Sequence, residues 1–405
     1  MNKKQLTPPF RFPEFSGNWV LGTLGEISTD LMYGIGASAT DYDGTNGYIR
    51  ITDIDDSSRA FCPNPITTPA GELENKYILK KGDIVFARTG ATTGKGYLYN
   101  EKNGKLYFAG FLIKASITGA NPEFIFQNTF RDNYWNWIHV MSVRSGQPGI
   151  NAEELKKLPL FFPKIDEQKK IATFLSAIDK KISQLKEKHT LLHQYKKGVM
   201  QQLFSQQIRF KDNNGNAFPD WQVKPLSELL TLTLREVKKP KEKYLAIGIR
   251  SHMKGTFHKP DFDPNSIAME KLYVARHNDL IVNITFAWEG AIAIVKAEDD
   301  GGLVSHRFPT YTFNKNQAIH EYFRHIILQK QFKYMLDLIS PGGAGRNRVL
   351  SKKEFLKLKW NMPCVDEQIK IADFLDTLDK KIDQVGKQIE QTEQFKKGLL
   401  QQMFV

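Results

Sequence analysis

Cysteine is nearly absent from this chain of 405 residues, which has only Cys62 and Cys364. Two isolated thiols can make neither a disulfide scaffold nor a zinc ribbon, and they fit a reducing cytoplasm. Long apolar runs are missing as well: nothing approaches the ~18 consecutive apolar residues of a membrane span. The opening MNKKQLTPPFRFPEF has basic residues but no apolar stretch or small-residue cleavage site, so it does not read as a secretion signal. Negative charge is in deficit, with 44 Asp and Glu against 57 Lys and Arg, a net charge of +13. Such an excess favours a polyanionic partner through phosphate neutralisation and counterion release, although a merely basic surface is compatible with it.

Catalytic signatures are missing too. GATTGKG has three residues between Gly90 and Gly94 where a phosphate-binding loop has four, and Gly96 stands where Ser or Thr would hold magnesium. His189 and His193 have the i, i+4 spacing of helical metal ligands, but no Glu lies between them, and the positions 200 residues on hold Ile389 and Glu393. NITFAW lacks the prolines of a base-methylation segment, and no glycine fingerprint for a methyl donor opens a helix. Glu298, Asp299 and Asp300 adjoin Gly301-Gly302 and read as a turn, not a nuclease site. We expect no catalytic residue and no metal ligand set.

What the chain does have is a repeat. DEQKKIATFLSAIDKKI at 166–182 returns as DEQIKIADFLDTLDKKI at 366–382, and QYKKGVMQQLF returns as QFKKGLLQQMF at the same offset of 200. Further upstream KYILKKGDIVFARTGATTGKG aligns with KLYVARHNDLIVNITFAWEGA at an offset of 196, which pairs Asp83 with Asp279. FRFPEFSGNWVLGTLGEI near the start resembles IRFKDNNGNAFPDWQVKPLSELL after the first constant segment, with Trp19 opposite Trp221. The order is circular, so residues 8–27 are expected near the end of the second constant segment.

Both constant segments are helical by pattern. In the first, Ile171, Ile178, Leu185, Leu192 and Val199 recur every seven residues, with Leu175 and Ile182 interleaved. In the second, Ile371, Leu378, Val385 and Leu399 do so, with Leu375, Ile382 and Ile389 between them. Apolar a and d positions over five heptads make these the seam of a coiled coil, interrupted at Lys196 and Lys396 as polar residues do when they set register. Pro163 and Pro363 precede the helices, and Asp166-Glu167 and Asp366-Glu367 place negative charge at the positive end of each dipole. Forty helical residues span about 60 Å, and the simplest partner for each helix is the other, antiparallel.

The variable halves alternate short β-branched and aromatic runs with Gly and Asn, then close on amphipathic stretches. The expected fold class is α+β: two mixed α/β domains at 1–163 and 207–363, joined by long antiparallel coiled-coil helices at 164–206 and 364–405, pseudo-two-fold and circularly organised.

This arrangement resembles the specificity subunit of type I restriction-modification enzymes. The resemblance spans essentially the whole chain and rests on the two DEQ helices, the two KKG-x-x-QQ-x-F ends, the RFP-x-F…W start, and the SGQPGIN and SPGGAGRNRVLS loops. It implies a non-enzymatic subunit with two target-recognition domains. Each would read one half of a bipartite double-stranded DNA target, and the helical rod would set the gap. Two methylation subunits would dock on the chain and restriction subunits would complete the complex. S-adenosylmethionine and ATP with magnesium would then sit on those partners, with no cofactor on this chain and no membrane involved.

Arg and Lys suit guanine edges, and Asn and Gln suit adenine. In the first half such residues cluster at ARTGATTGK (Arg88, Thr89, Thr92, Lys95) and at VRSGQPGIN (Arg144, Ser145, Gln147). The aligned loops of the second half carry Asn283 and Thr285, then Arg346, Asn347 and Arg348. IRSHMKG and VSHRF add Arg250, His252, Lys254, His306 and Arg307, while Trp288 reads as core or a packing wedge. The rod lysines fit solvated faces, phosphate contacts and partner contacts alike. Two rival readings are a fused methyltransferase, disfavoured by the missing motifs, and a coiled-coil scaffold for proteins, disfavoured by the charge.

Overall fold

A computed structural model describes residues 6–342 and 348–405. It divides into two compact units: Met1–Thr190 with Gln384–Val405, and Leu191–Asp383. The division falls inside the long helices, Ile165–Phe204 and Val365–Gln402, so each unit contains a portion of both.

Apolar heptads explain those helices. Ile171, Leu175, Ile182, Leu185 and Val199 are buried on the first, and Ile371, Leu375, Leu378, Ile382, Val385 and Leu399 on the second; Ile178, Leu192 and Ile389 are half-buried. The seam lysines are paired across the helices. Within the first unit Lys396 Nζ lies 2.6 Å from Asp179 Oδ1, and within the second Lys196 Nζ lies 2.5 Å from Asp379 Oδ1. Residues 200 apart thus form the same contact twice with the helices exchanged. A one-turn slip would strand both charges.

The DEQ motif does more than complement a dipole. Glu167 accepts two bonds from Arg11, from Nε and Nη2, both at 2.7 Å. Glu367, fully buried, accepts from Arg209 Nε at 3.1 Å and Nη2 at 2.8 Å, and from Trp221 Nε1 at 3.0 Å. The bond to the carboxylate raises the pKa of both arginines. Gln168 accepts from Asn121 N–H at 2.8 Å and donates to Pro163 O at 2.8 Å; Gln368 accepts from Ile319 N–H at 3.1 Å and donates to Pro363 O at 3.0 Å. The circular order is visible inside the first unit, where Phe10 N–H donates to Gln402 O at 2.9 Å and the Trp19 ring lies 6.1 Å from Phe404. The aligned tryptophans are used differently: Trp19 is core, whereas Trp221 donates to Glu367.

Each unit is built on a four-stranded antiparallel sheet. In the first unit the order is Ser28–Tyr33, Leu112–Ile117, Asp83–Ala87, Gly96–Leu98; in the second it is Leu230–Leu232, Thr310–Phe313, Leu280–Val282, Ile292–Ile294. The equivalence extends to Asp83 and Asp279, which accept backbone N–H bonds from Lys80 at 2.8 Å and Arg276 at 3.1 Å. The second unit adds a five-stranded sheet containing Tyr244–Ile249 and Thr256–Phe262. The amphipathic stretch closing each half is broken in two, Pro122–Asn128 with Asp132–Met141 and His320–Ile326 with Lys330–Leu338. In the first, Asn128 Nδ2 and Thr129 Oγ1 bond back to the carbonyls of Phe124 and Phe126, competing with the helical ladder.

Candidate nucleic-acid interface

In the first unit the two polar loops are tied together. Gly90 N–H donates to Pro148 O at 3.0 Å, and Ile150 N–H to Arg88 O at 2.9 Å. Gly94 has a φ of +89°, and a Cβ there would meet Ile138 at 2.7 Å, so the glycine is demanded by the turn and by helix packing. Ser145 and Gln147 are exposed, and Thr89 and Thr92 half-exposed. The Arg88 guanidinium lies 4.4 Å above the Tyr33 ring.

Three of the expected basic residues are otherwise engaged. Lys95 is buried, and its Nζ donates to Ile54 O at 2.8 Å and Asp56 Oδ1 at 2.9 Å. Its loop looks open in the sequence, but the side chain turns inward to satisfy that carbonyl, and the ammonium is withdrawn from the loop surface. Arg144 Nη1 donates to the carbonyls of Met141 and Val143, and Nη2 to Glu154. Arg348 does the equivalent in the second unit, bonding the carbonyls of Asp337 and Ser340 and the Asp337 carboxylate, with its guanidinium 5.1 Å from the Trp288 ring. Each of these arginines caps the C-terminus of the preceding helix, where a cation offsets the dipole.

In the second unit three loops converge. His252 N–H donates to Glu289 O at 2.8 Å and Met253 N–H to Gly290 O at 2.9 Å, and Ser251 Oγ reaches Glu289 Oε2 at 2.7 Å. Arg307 Nη1 donates to Thr285 Oγ1 at 3.0 Å. Arg250, His252, Lys254, His306 and Arg307 are exposed. Asn283 is buried, its Oδ1 accepting from Thr285 N–H at 3.1 Å, so it shapes the loop from beneath. Arg346 and Asn347 lie outside the described residues. Two residues carry no obvious signal in the sequence yet stand on the first unit's surface: Tyr33 beneath Arg88, and Phe111, which is 64% exposed.

Among the described residues one cluster has metal-ligand chemistry: His325, Asp376 and Asp379, whose ligand atoms all lie within 4.8 Å of one another. Both carboxylates already have cationic partners, Arg324 for Asp376 and Lys196 for Asp379. Burial, aided by the charges of Arg324 and Lys196, pushes the His325 imidazole down to about 3, so it stands neutral beside Asp376. Gln127 fills the same place in the first unit and donates to Asp179 at 2.9 Å. The group therefore reads as an ion-pair network anchoring the helix seam.

Two units of one plan, alike in frame and unlike in their polar loops, define a two-domain recognition protein. A family model for the type I restriction modification DNA specificity domain matches residues 19–193 and again residues 219–394. The chain belongs to that family: it is a non-catalytic specificity subunit of a type I restriction-modification system, with two target-recognition domains. The type I restriction enzyme MjaX specificity subunit of Methanocaldococcus jannaschii is 25% identical over 347 residues, covering 80% of this chain and 78% of its own. The type I restriction-modification S subunit of M. genitalium shares the fold with a TM-score of 0.60 at 16% identity, covering 98% of this chain and 99% of its own. The HsdS subunit of Thermoanaerobacter tengcongensis does so at 0.51 and 14% identity, over 99% of both chains. Among the described residues no helix is long and apolar enough to cross a membrane.

Proposed function

We propose that each unit reads one half of an asymmetric, bipartite DNA target, that the paired helices set the gap, and that the chain recruits methylation and restriction subunits in the cytoplasm. The observation that carries this reading is the contrast between frame and loops. The Arg–Glu lock, the glutamine anchor and the Lys–Asp seam pair recur in both units. The loops they hold present different side chains at equivalent points, as two dissimilar half-sites require. Base extrusion and methyl transfer would be the partners' work, with S-adenosylmethionine and ATP bound there.

A docking surface for a partner present twice is supported by the helices. Tyr195 and Phe395, 200 residues apart, are 53% and 56% exposed. One turn on, Gly198 and Gly398 have nothing within 4 Å of where a Cβ would stand. A helix-interior glycine costs about 1 kcal/mol relative to alanine, and nothing among the described residues requires either of them. Close approach of an outside helix over an aromatic–glycine step would.

The test is to sequence methylated bases in cells carrying the methylation subunit, with and without this chain. A gapped, asymmetric adenine motif that appears only with the chain is the expected result. No new motif, with the partner expressed and bound, would refute the reading.

A further inference from the structure

The two recognition surfaces share one backbone feature. Antiparallel pairing brings Ala87 opposite Leu112, and one residue on, Arg88 N–H donates to Phe111 O at 3.0 Å. In the second unit Ile281 stands opposite Thr310, and three residues on, Ile284 N–H donates to Arg307 O at 3.0 Å. A third segment flanks the central residue in each: Ile150 N–H donates to Arg88 O at 2.9 Å, and Leu350 N–H to Ile284 O at 2.8 Å. Arg88 with Phe111 and Ile284 with Arg307 are therefore equivalent pairs, each joined by one backbone bond just beyond the end of its sheet. Each holds one arginine and one large apolar residue, with the strands exchanged.

The side chains differ in what the fold does with them. Arg88 is levelled on Tyr33, and its Nε is buried without a hydrogen-bond partner among the described residues. Phe111 beside it stands largely in solvent, an unfavourable place for a phenyl ring unless something covers it. In the second unit the apolar member, Ile284, packs against the core, while Arg307 is exposed and steadied by Thr285. An arginine fork matches O6 and N7 of guanine, and an apolar side chain beside it matches the methyl group of thymine.

We propose that this pair is the base-selecting centre of each unit: Arg88 and Arg307 each read a guanine, and Phe111 covers a thymine methyl in the first unit's half-site. The inference rests on the reading of the units as half-site readers. Because the arginine comes from opposite strands of the same pair, the guanine occupies a different place in each half.

The methylated motif written by the chain with its methylation subunit tests this for Arg88→Gln, Arg307→Gln and Phe111→Ala. Arg88→Gln should lower the preference for guanine at one position of one half-site by about 5- to 150-fold, and leave the other half intact. Arg307→Gln should do the same in the other half only, and Phe111→Ala should relax one thymine in the half that Arg88 reads. Either arginine variant changing both halves, or neither, would overturn the proposal. If Arg88→Gln abolishes methylation, Arg88→Lys decides, since it keeps the charge without the fork: a relaxed guanine supports the proposal and an unchanged motif overturns it. A wild-type chain writing no gapped motif would sink the half-site reading itself, whereas unchanged variant motifs sink the base assignments alone.

Discussion

Replacing Arg209 by methionine should expose how much the Arg–Glu lock contributes. Glu367 is fully buried and has three donors, two of them from the guanidinium, which also holds the carbonyls of Phe218 and Pro219. Methionine matches the length of the chain but leaves the carboxylate in the core with Trp221 Nε1 as its one remaining donor. Breaking a buried pair on one side costs about 3–5 kcal/mol. For a unit of roughly 200 residues each kcal/mol is about 2–4 °C in Tm, so the second unit should melt some 6–20 °C lower. The double variant Arg209→Met/Glu367→Leu removes the stranded charge and should regain most of that loss, short of the ~1–3 kcal/mol for an unpartnered Trp221 N–H. Differential scanning calorimetry of wild type, single and double variants measures both. A single variant within 1 kcal/mol of wild type, or a double variant worse than the single, would refute the argument. Arg11→Met should lower the first unit's transition in the same way.

Other expectations follow from the seam and the helix surface. Lys196→Asp should destabilise the second unit by about 1 kcal/mol or more and Asp379→Lys should rescue it, giving a coupling energy of about 0.5–3 kcal/mol by double-mutant cycle in urea; strict additivity would contradict a register role. Gly198→Ala and Gly398→Ala should each stabilise the isolated chain by about 0.5–1 kcal/mol while weakening co-purification of the methylation subunit; tighter folding with undiminished assembly would remove the docking argument. Inserting one helical turn at matching points of both long helices should lengthen the gap in the methylated motif and leave both half-sites as they were, and a changed half-site with the old gap would speak against the ruler.

The helices and their pairing were legible because a 3.5-residue apolar period survives in any single copy, and the 200-residue offset shows it twice. The paired strands were legible as β-rich runs aligned at 196. The locks were not: Arg11 and Glu167 lie 156 residues apart, and nothing local marks them as partners. Residue type misdirected at Lys95, where a glycine-rich, polar loop reads as surface although its lysine turns inward to Ile54 O. Arg144 and Arg348 could have been anticipated as helix caps, since each follows the end of an amphipathic helix. Phe111 escaped because LYFAGFLIKASI reads as an unbroken buried strand, and only the pairing register shows that it lies one residue past the sheet.

The discontinuity of the first unit bears on how the chain is made. Leu399, Leu400, Met403 and Phe404 supply part of the core around Trp19 and Phe124. The second unit, Leu191–Asp383, is contiguous. During synthesis the early-translated part of the first unit must wait with its aromatic core incomplete until Phe404 has emerged, whereas the second unit is complete once Asp383 has. Vectorial synthesis thus reverses the order of completion. Until then the nascent first unit carries part of its apolar core unpacked.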